Sequence, residues 1–180
     1  MKWEEIDQLP CSIARTLSVI GDRWTALIVR EAFMGVRRFE PLQKGLGITR
    51  HRLSDRLERL IEEGVMERRP YQDNPPRFEY RLTEKGRDLY PIILMMRHWG
   101  DTWMAGEAGP PTLLRHNTCG HIVQPKLVCS ECNEPISPFD ITPLPGPGLA
   151  GHEIPSTYRK PDTSVSTAPK KRASKTKAES

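Results

Sequence analysis

The segment from residue 49 to residue 82 constrains the fold more than any other part of the sequence. A single apolar stripe runs along its first half at spacings of i, i+4, i+7 and i+8, formed by Leu53, Leu57, Leu60 and Ile61. Thr49 suits the N-cap position before this stripe, and Gly64 suits the end of a helix. We therefore predict a patterned helix over residues 49–63.

Two short extended runs follow this helix directly. Residues 65–71 and 78–82 are rich in Val, Tyr and Phe, and residues 72–76 between them read Gln-Asp-Asn-Pro-Pro. Extended residues on either side of an Asn, Asp and Pro turn favour a β-hairpin. Thr83 is a suitable cap for a further helical stretch, which includes Pro91 near the first turn of a new segment.

Upstream of the patterned helix, three shorter helices are predicted over residues 11–20, 22–33 and 39–44. Asp22 is a suitable N-cap for the second of them. In the first, helical spacing favours Ile13, Leu17 and Ile20 on the inward side. The expected fold class is mainly α with a small β wing, in the order of a winged helix-turn-helix.

The side of the patterned helix facing away from its stripe carries charged residues, which makes it a candidate recognition surface for double-stranded DNA. Arginine can bind guanine in the major groove or phosphate, and a helix N-terminus favours phosphate. The candidate DNA contacts are Thr49, Arg50, His51, Arg52, Asp55, Arg56 and Arg59, together with Arg77 beside the wing tip. The alternative is a solvated helix with alternating charges. Residues 37–81 contain eleven Lys and Arg against eight Asp and Glu, which favours the DNA interpretation.

Residues 11 to about 104 resemble the HxlR-type helix-turn-helix regulators, a bacterial group related to MarR-type proteins. The resemblance rests on these residues: Cys11, Gly21-Asp22-Arg23-Trp24-Thr25, Leu27-Ile28, Gly35-Val36-Arg37-Arg38-Phe39, Leu53, Arg56-Leu57, Leu60, Glu63-Gly64-Val65, Pro75 to Thr83, Gly86 and Trp99-Gly100. It implies a winged-helix homodimer that binds specific DNA and regulates transcription, here expected to act as a repressor. Ser12 departs from the usual proline of the family, and Asp22-Arg23 replaces the commoner Gly-Lys.

Cys11 is a candidate redox-sensing residue. It follows Pro10 in a first helical turn, with Arg15 one turn later, and both a helix N-terminus and a nearby cation favour the thiolate. Some members of the resembled family sense oxidants or small electrophiles through a cysteine at this place. The alternative is a buried structural thiol.

The helix that follows the hairpin carries a second apolar pattern. Its members recur every three or four residues: Leu89, Ile92, Met96, Trp99 and Trp103. Together with neighbouring Ile, Leu and Met residues they exceed what one small domain can bury, so we predict that this helix pairs with the same helix of a second subunit.

Residues 107–145 contain two short segments with one pattern. His116 and Cys119 are separated by two residues and followed by Gly120, and Cys129 and Cys132 are separated by two residues and followed by Asn133. This spacing predicts a small zinc-ribbon-like extension with one structural zinc ion bound by His116, Cys119, Cys129 and Cys132. His121 is an alternative fourth ligand, and reduced cysteines without metal are the competing interpretation.

The predicted domains are residues 1–106 for DNA binding and dimerisation, 107–145 for the zinc-ribbon-like extension, and 146–180 for a disordered basic tail. No apolar run approaches the ~18 residues of a membrane span, and the first residues lack the order of a signal peptide. We therefore expect a cytoplasmic, nucleoid-associated protein. The sequence contains no acid, base and nucleophile that would act together in catalysis, so we do not expect an enzyme. The alternative function is a metal-dependent protein-interaction adaptor built on a winged helix.

Overall fold

A computed structural model describes residues 3–152 of the chain. The chain divides into a larger unit that ends at Pro125 and a smaller unit that begins at Lys126. After a 3-10 turn at Trp3–Gln8, the larger unit contains, in order, α1 (Ser12–Ile20), α2 (Arg23–Phe33), α3 (Phe39–Leu46), α4 (Arg50–Glu62), β1 (Met66–Gln72), β2 (Arg77–Leu82), α5 (Glu84–Arg87) and α6 (Tyr90–Trp103). The predicted winged helix-turn-helix is confirmed.

The apolar stripe of α4 forms the centre of the core. Leu53, Leu57 and Leu60 are buried, and they belong to one cluster with Ile28 of α2 and Leu42 of α3. Three leucines in contact with two other helices fix both the position of α4 and its rotation about its axis. The opposite side of α4 is therefore held in a defined direction.

Two of the three predicted N-cap residues make capping hydrogen bonds. The Asp22 carboxylate accepts hydrogen bonds from the backbone N–H groups of Trp24 at 2.9 Å and Thr25 at 3.2 Å, so it caps α2. The Thr83 hydroxyl accepts from the N–H of Gly86 at 3.1 Å and caps α5. Thr49 occupies the N-cap position of α4, but its side chain makes no capping hydrogen bond.

The wing is an antiparallel pair in which Met66 lies opposite Leu82 at its base. The pairing shifts by one residue between Pro70 and Gln72, which leaves Tyr71 as a bulge near the tip. A third extended segment joins the other edge of β2, where the N–H of Tyr80 donates to the carbonyl of Arg37 at 2.7 Å. This extra pairing ties the wing to the start of α3.

Gly86 is required by close packing at the base of the wing. A Cβ atom at this position would lie 2.1 Å from the backbone oxygen of Val65, which is closer than any real contact. Glycine alone therefore lets α5 pack against the start of β1.

The predicted orientation of α1 is wrong for two of its three apolar residues. Ile20 is buried as expected, but Ile13 and Leu17 are exposed, and the second buried position is Ala14. The physical reason is that α1 contacts the 3-10 turn and α2 through the side that carries Ala14 and Ile20. Ile13 and Leu17 instead line an open groove beside α6.

The smaller unit has little regular structure in its described part. Between residues 126 and 152 the only helical element is a 3-10 turn at Pro147–Leu149, and no residue there is buried. The predicted tail beyond His152 lies outside the described residues. No helix within residues 3–152 is long and apolar enough to cross a membrane.

Candidate nucleic-acid interface

The first turn of α4 presents three basic side chains to solvent. Arg50, His51 and Arg52 are all exposed. The guanidinium of Arg50 lies over the ring of Phe39, 5.1 Å from its centroid, and His51 Nδ1 lies 3.3 Å from the carboxylate of Asp55 one turn later. Arg52 has no hydrogen-bond or ion-pair partner among the described residues. This part of α4 therefore offers cations to an external partner.

A cleft of about 430 Å³ separates the first turn of α4 from the wing. Arg38, Arg50 and Arg77 line it, each from a different element of the sequence. The Arg38 guanidinium lies over the ring of Tyr71 at 4.3 Å, and its Nε is 3.5 Å from a carboxylate oxygen of Glu79. Arg38 was absent from the sequence-predicted set. The one feature of the sequence that could have indicated Arg38 is its position directly before α3.

Glu79 partly offsets the positive charge of this cleft. Its carboxylate accepts hydrogen bonds from Arg81 at 2.9 and 3.3 Å, and Arg38 lies on its other side. The hydrogen bonds from Arg81, and then the charges of both arginines, hold the pKa of Glu79 below its usual value. Glu79 therefore remains ionised at neutral pH and orients Arg38 toward the cleft.

Two of the predicted DNA-binding arginines have partners inside the protein. The Arg59 guanidinium donates to the carbonyl of Ser18 at 2.6 Å, which joins α4 to α1. Arg56 Nε lies 3.1 Å from Asp22 Oδ2, an ion pair that is close in distance but lacks hydrogen-bond geometry. Both side chains therefore have a demonstrable role in packing, and their contact with DNA stays a prediction.

The Asp22 carboxylate belongs to both a helix cap and this ion pair. Burial alone would raise its pKa, but hydrogen bonds from Thr25 and Trp24, and the nearby Arg56 guanidinium, outweigh burial and hold the pKa below the ordinary value of 3.8. The substitution noted as a departure from the resembled family thus places a stable negative charge at the N-terminus of α2.

The predicted dimer residues lie on a largely exposed face of α6. Ile92, Met96, Trp99 and Trp103 are all exposed, whereas Leu89 packs against the hydrophobic core of the chain. Ile92 and Met96 join residues of α1 around a groove of about 520 Å³ that is mostly apolar. The face therefore combines α1 and α6, which the sequence did not indicate.

Cys11 occupies the N-cap position of α1 and is exposed. It is thus an accessible thiol, and the alternative of a buried structural cysteine is excluded. Ser12, the next residue, lines the groove between α1 and α6. A redox role for Cys11 stays a prediction.

The predicted metal ligands are found as two pairs within tight turns. His116 Nδ1 lies 3.3 Å from Cys119 Sγ. In the second pair, the backbone N–H of Cys132 and that of Glu131 hydrogen-bond to Cys129 and lower the pKa of its thiol. Among residues 3–152, no three His, Cys, Asp or Glu side chains form a group able to hold a metal ion. Zinc binding therefore stays a prediction.

The fold and the basic cleft define a winged-helix DNA-binding regulator. The family model described as HxlR-like helix-turn-helix matches residues 19–108, and the chain belongs to this family. It is a family of transcriptional regulators rather than of enzymes.

Similar proteins extend the match beyond the winged helix. Rv3095 of Mycobacterium tuberculosis, described as an uncharacterised HTH-type transcriptional regulator, is 51% identical over 138 residues, which cover 77% of this chain and 87% of that protein. The chain has 180 residues, so an aligned stretch of 138 residues must include residues 43–138, whichever residue it starts from. It therefore reaches across most of the Cys/His extension.

Two solved structures are also similar. PA1607, described as a candidate transcription factor, superposes with a TM-score of 0.68 at 37% identity and covers 75% of this chain and 94% of its own. PA1374 from Pseudomonas aeruginosa gives a TM-score of 0.55 at 32% identity, with 76% and 93% covered.

Proposed function

We propose that the protein is a homodimeric repressor that reads a specific operator. Each subunit inserts α4 into a major groove, with Arg52 and the first-turn residues Arg50 and His51 at the base edges. The wing lies on the flanking backbone, where Arg77 and Arg38 contact phosphate. Bound across a promoter, the dimer blocks access of the transcription machinery.

The observation that carries this proposal is the cleft between α4 and the wing. Three arginines from separate elements converge on it, two of them with aromatic rings beneath their guanidinium groups. Stacking restricts such a side chain and leaves its N–H groups free for phosphate or guanine. If α4 were only a solvated helix with alternating charges, arginines of the wing and from the start of α3 would not be expected to line the same cleft as Arg50.

The exposed face of α1 and α6 supports the homodimer. A two-fold pairing of this face places two copies of α4 on one DNA molecule, and half-sites about 34 Å apart put both in the major groove on the same side. The predicted operator is therefore a palindrome with a spacing of one helical turn.

The test is a comparison of operator and non-operator binding by fluorescence anisotropy, with a fragment of the protein's own promoter region as the probe. Arg52→Ala should weaken operator binding by roughly 5- to 150-fold and non-operator binding much less, as expected for loss of one base contact worth ~1–3 kcal/mol. Arg77→Ala should weaken both about equally, because phosphate contacts carry no sequence information.

Arg15→Ala is the matched control, since it removes an exposed arginine of α1 that does not line the cleft. Full operator preference in Arg52→Ala would contradict the assignment of α4 as the reading helix. Absence of any salt-dependent DNA binding by the unaltered protein would instead favour the protein-interaction adaptor.

A further inference from the structure

A second basic cleft lies between the end of α2, the wing and the segment where α5 meets α6. We call it the α2–wing cleft; its volume is about 700 Å³, within the range of small-molecule sites. One carboxylate, that of Glu67, lines it together with four arginines from four different parts of the chain: Arg37, Arg69, Arg81 and Arg87. The excess of positive charge favours an anionic ligand.

Two of these arginines belong to the wing and have partners there. The strand register places Arg81 opposite Glu67 and Arg69 opposite Glu79, so the four side chains share one face of the sheet. Arg69 pairs with Glu67 at 2.6 Å, and Arg81 pairs with Glu79 at 2.9 Å. These pairs hold the two guanidinium groups along the wing side of the cleft.

The other two arginines are exposed and have N–H groups available for a ligand. The Arg37 side chain makes no hydrogen bond or ion pair within residues 3–152. Arg87 donates from Nη1 to the carbonyl of Leu82 at 3.1 Å, which fixes the direction of its guanidinium while the other nitrogens stay unbonded in the described part of the chain.

An aromatic pair forms part of the cleft wall. The rings of Phe33 and Tyr90 meet edge to face, with their centroids 4.9 Å apart and their planes at 60°. Phe33 is half-buried at the end of α2, whereas Tyr90 remains 44% exposed. Exposed aromatic surface inside a cleft favours a ligand that has a planar ring of its own.

The charge of the cleft suits a phosphate better than a carboxylate. A carboxylate is fully occupied by the two parallel N–H bonds of one guanidinium, whereas a phosphate monoester has three acceptor oxygens and a charge of about −1.5 to −2 at pH 7. We propose that the α2–wing cleft binds a small organic phosphate with a planar ring, its phosphate among the arginines, including Arg81, and its ring against Tyr90.

Binding at Arg81 reaches the DNA interface through Glu79. One oxygen of Glu79 accepts from Arg81 at 2.9 Å, and the other lies 3.5 Å from Nε of Arg38, which lines the cleft proposed for DNA. A phosphate at Arg81 competes with Glu79 for the same N–H groups, so Glu79 pairs more closely with Arg38 and offsets its charge. The ligand therefore lowers DNA affinity, and this step rests on the proposed function.

Isothermal titration calorimetry of the full chain without DNA tests the site directly. The probes are AMP and CMP, which combine a ring with a phosphate, adenosine, which lacks the phosphate, and inorganic phosphate, which lacks the ring. At least one nucleotide should bind more tightly than adenosine or inorganic phosphate. Arg37→Ala and Arg87→Ala should each weaken nucleotide binding by roughly tenfold, the scale of one charged hydrogen bond.

Arg77→Ala is the matched control, because Arg77 is an exposed arginine that lines only the cleft between α4 and the wing. It should keep its nucleotide affinity and lose DNA affinity, and Arg37→Ala should do the reverse. No binding of either nucleotide would overturn the proposal. So would a loss in Arg77→Ala equal to that in Arg37→Ala, which would mean a general basic surface for phosphate.

Anisotropy titrations of the promoter fragment with saturating nucleotide test the regulatory step. Operator affinity should fall roughly fivefold or more, a usual size for coupling between two sites. Glu79→Gln should still bind the nucleotide but lose this response, because a neutral amide cannot offset the charge of Arg38. Unchanged operator affinity with nucleotide bound would overturn the regulatory step. Absence of operator binding without nucleotide would instead contradict the proposed function, and calorimetry would still decide the binding site.

Discussion

Asp22 and Arg56 link α4 to the start of α2 through a single carboxylate. Asp22 caps α2 with two backbone hydrogen bonds and also lies 3.1 Å from Arg56 of α4. Both side chains are about one-third exposed, so solvent weakens their attraction and the capping role dominates. A carboxylate in this place therefore fixes the start of α2 and also contacts α4.

The two roles of Asp22 can be separated by substitution and pH. Asp22→Ala should lower the free energy of unfolding at neutral pH by about 1 kcal/mol, because the cap is lost. Asp22→Asn should retain most of the cap but lose the charge. Because folding lowers the pKa of Asp22, its charge stabilises the fold above the ordinary value of 3.8, and this contribution is lost as pH falls through the folded-state pKa.

Denaturant unfolding of the three proteins between neutral and strongly acidic pH measures this effect. The difference between the unaltered protein and Asp22→Asn should shrink as the pH falls below the ordinary pKa. A constant difference across that range would mean that the Asp22 charge contributes nothing to stability.

Cys11 lies beside the face that we propose for dimerisation. It is exposed at the start of α1, immediately before the residues that line the groove with α6. Adducts or oxidation at this thiol would place a new group at the edge of the proposed dimer face. Treatment with a thiol-reactive aldehyde should therefore lower operator affinity in a gel shift, and Cys11→Ser should not respond. Cys129→Ser/Cys132→Ser is the control and should respond like the unaltered protein; the reverse pattern would transfer the role to those cysteines.

At the scale of elements, α6 is the α-helix with the fewest buried residues within residues 3–152. It has fourteen residues with a mainly apolar sequence, yet none of them is buried. The exposed fractions of Trp99 and Trp103 are 59% and 74%. Ile13 of α1 is also a large apolar side chain left uncovered, with an exposed fraction of 72%. Large apolar side chains on a continuous face mark an interaction surface. The same face of a second subunit is its simplest partner, because a two-fold axis needs only one self-complementary surface.

A charge in this face should prevent dimerisation without unfolding the subunit. Trp99→Asp places a carboxylate where an apolar partner is expected, and burying it unpaired is strongly unfavourable. Because Trp99 is already exposed, the subunit loses little of its own core. Light scattering should show monomers, circular dichroism should show unchanged helix content, and operator binding should be lost. Trp99→Phe should remain dimeric, and a dimer of normal affinity in Trp99→Asp would exclude this face.

The sequence predicted those elements whose determinants lie within one segment. The α4 stripe, the Asp22 cap and the hairpin each depend on residues close together in the chain, so their pattern alone defines them. The outward position of Ile13 and Leu17 depends instead on what covers α1. The partners of Arg56 and Arg59 lie 34 and 41 residues away, and no local pattern reveals such contacts. For the same reason no local pattern predicts that Arg38 lines the cleft, because its position there depends on the pairing of the wing with the residues before α3.

At the scale of the whole chain, positive charge is concentrated in two places. Residues 37–81, which contain α4 and the wing, carry a net charge of +3, and residues 159–180 carry +5, whereas the full chain carries +4. The remainder is therefore acidic. DNA would be attracted to the winged helix and to the C-terminal residues and repelled by the rest, which favours a defined orientation of approach.

The C-terminal residues should contribute to affinity without contributing to specificity. Removing residues 159–180 takes away seven Lys and Arg and two Asp and Glu. Each phosphate contact adds about 0.9 to the slope of log affinity against log salt concentration, so truncation should flatten this slope while the preference for operator over other DNA stays the same. The variant Lys170→Gln/Lys171→Gln/Arg172→Gln keeps the length of the chain and should reproduce part of the change, which separates charge from bulk. Anisotropy titrations at several salt concentrations provide the slopes, and equal slopes for all three proteins would show that these residues do not contact DNA.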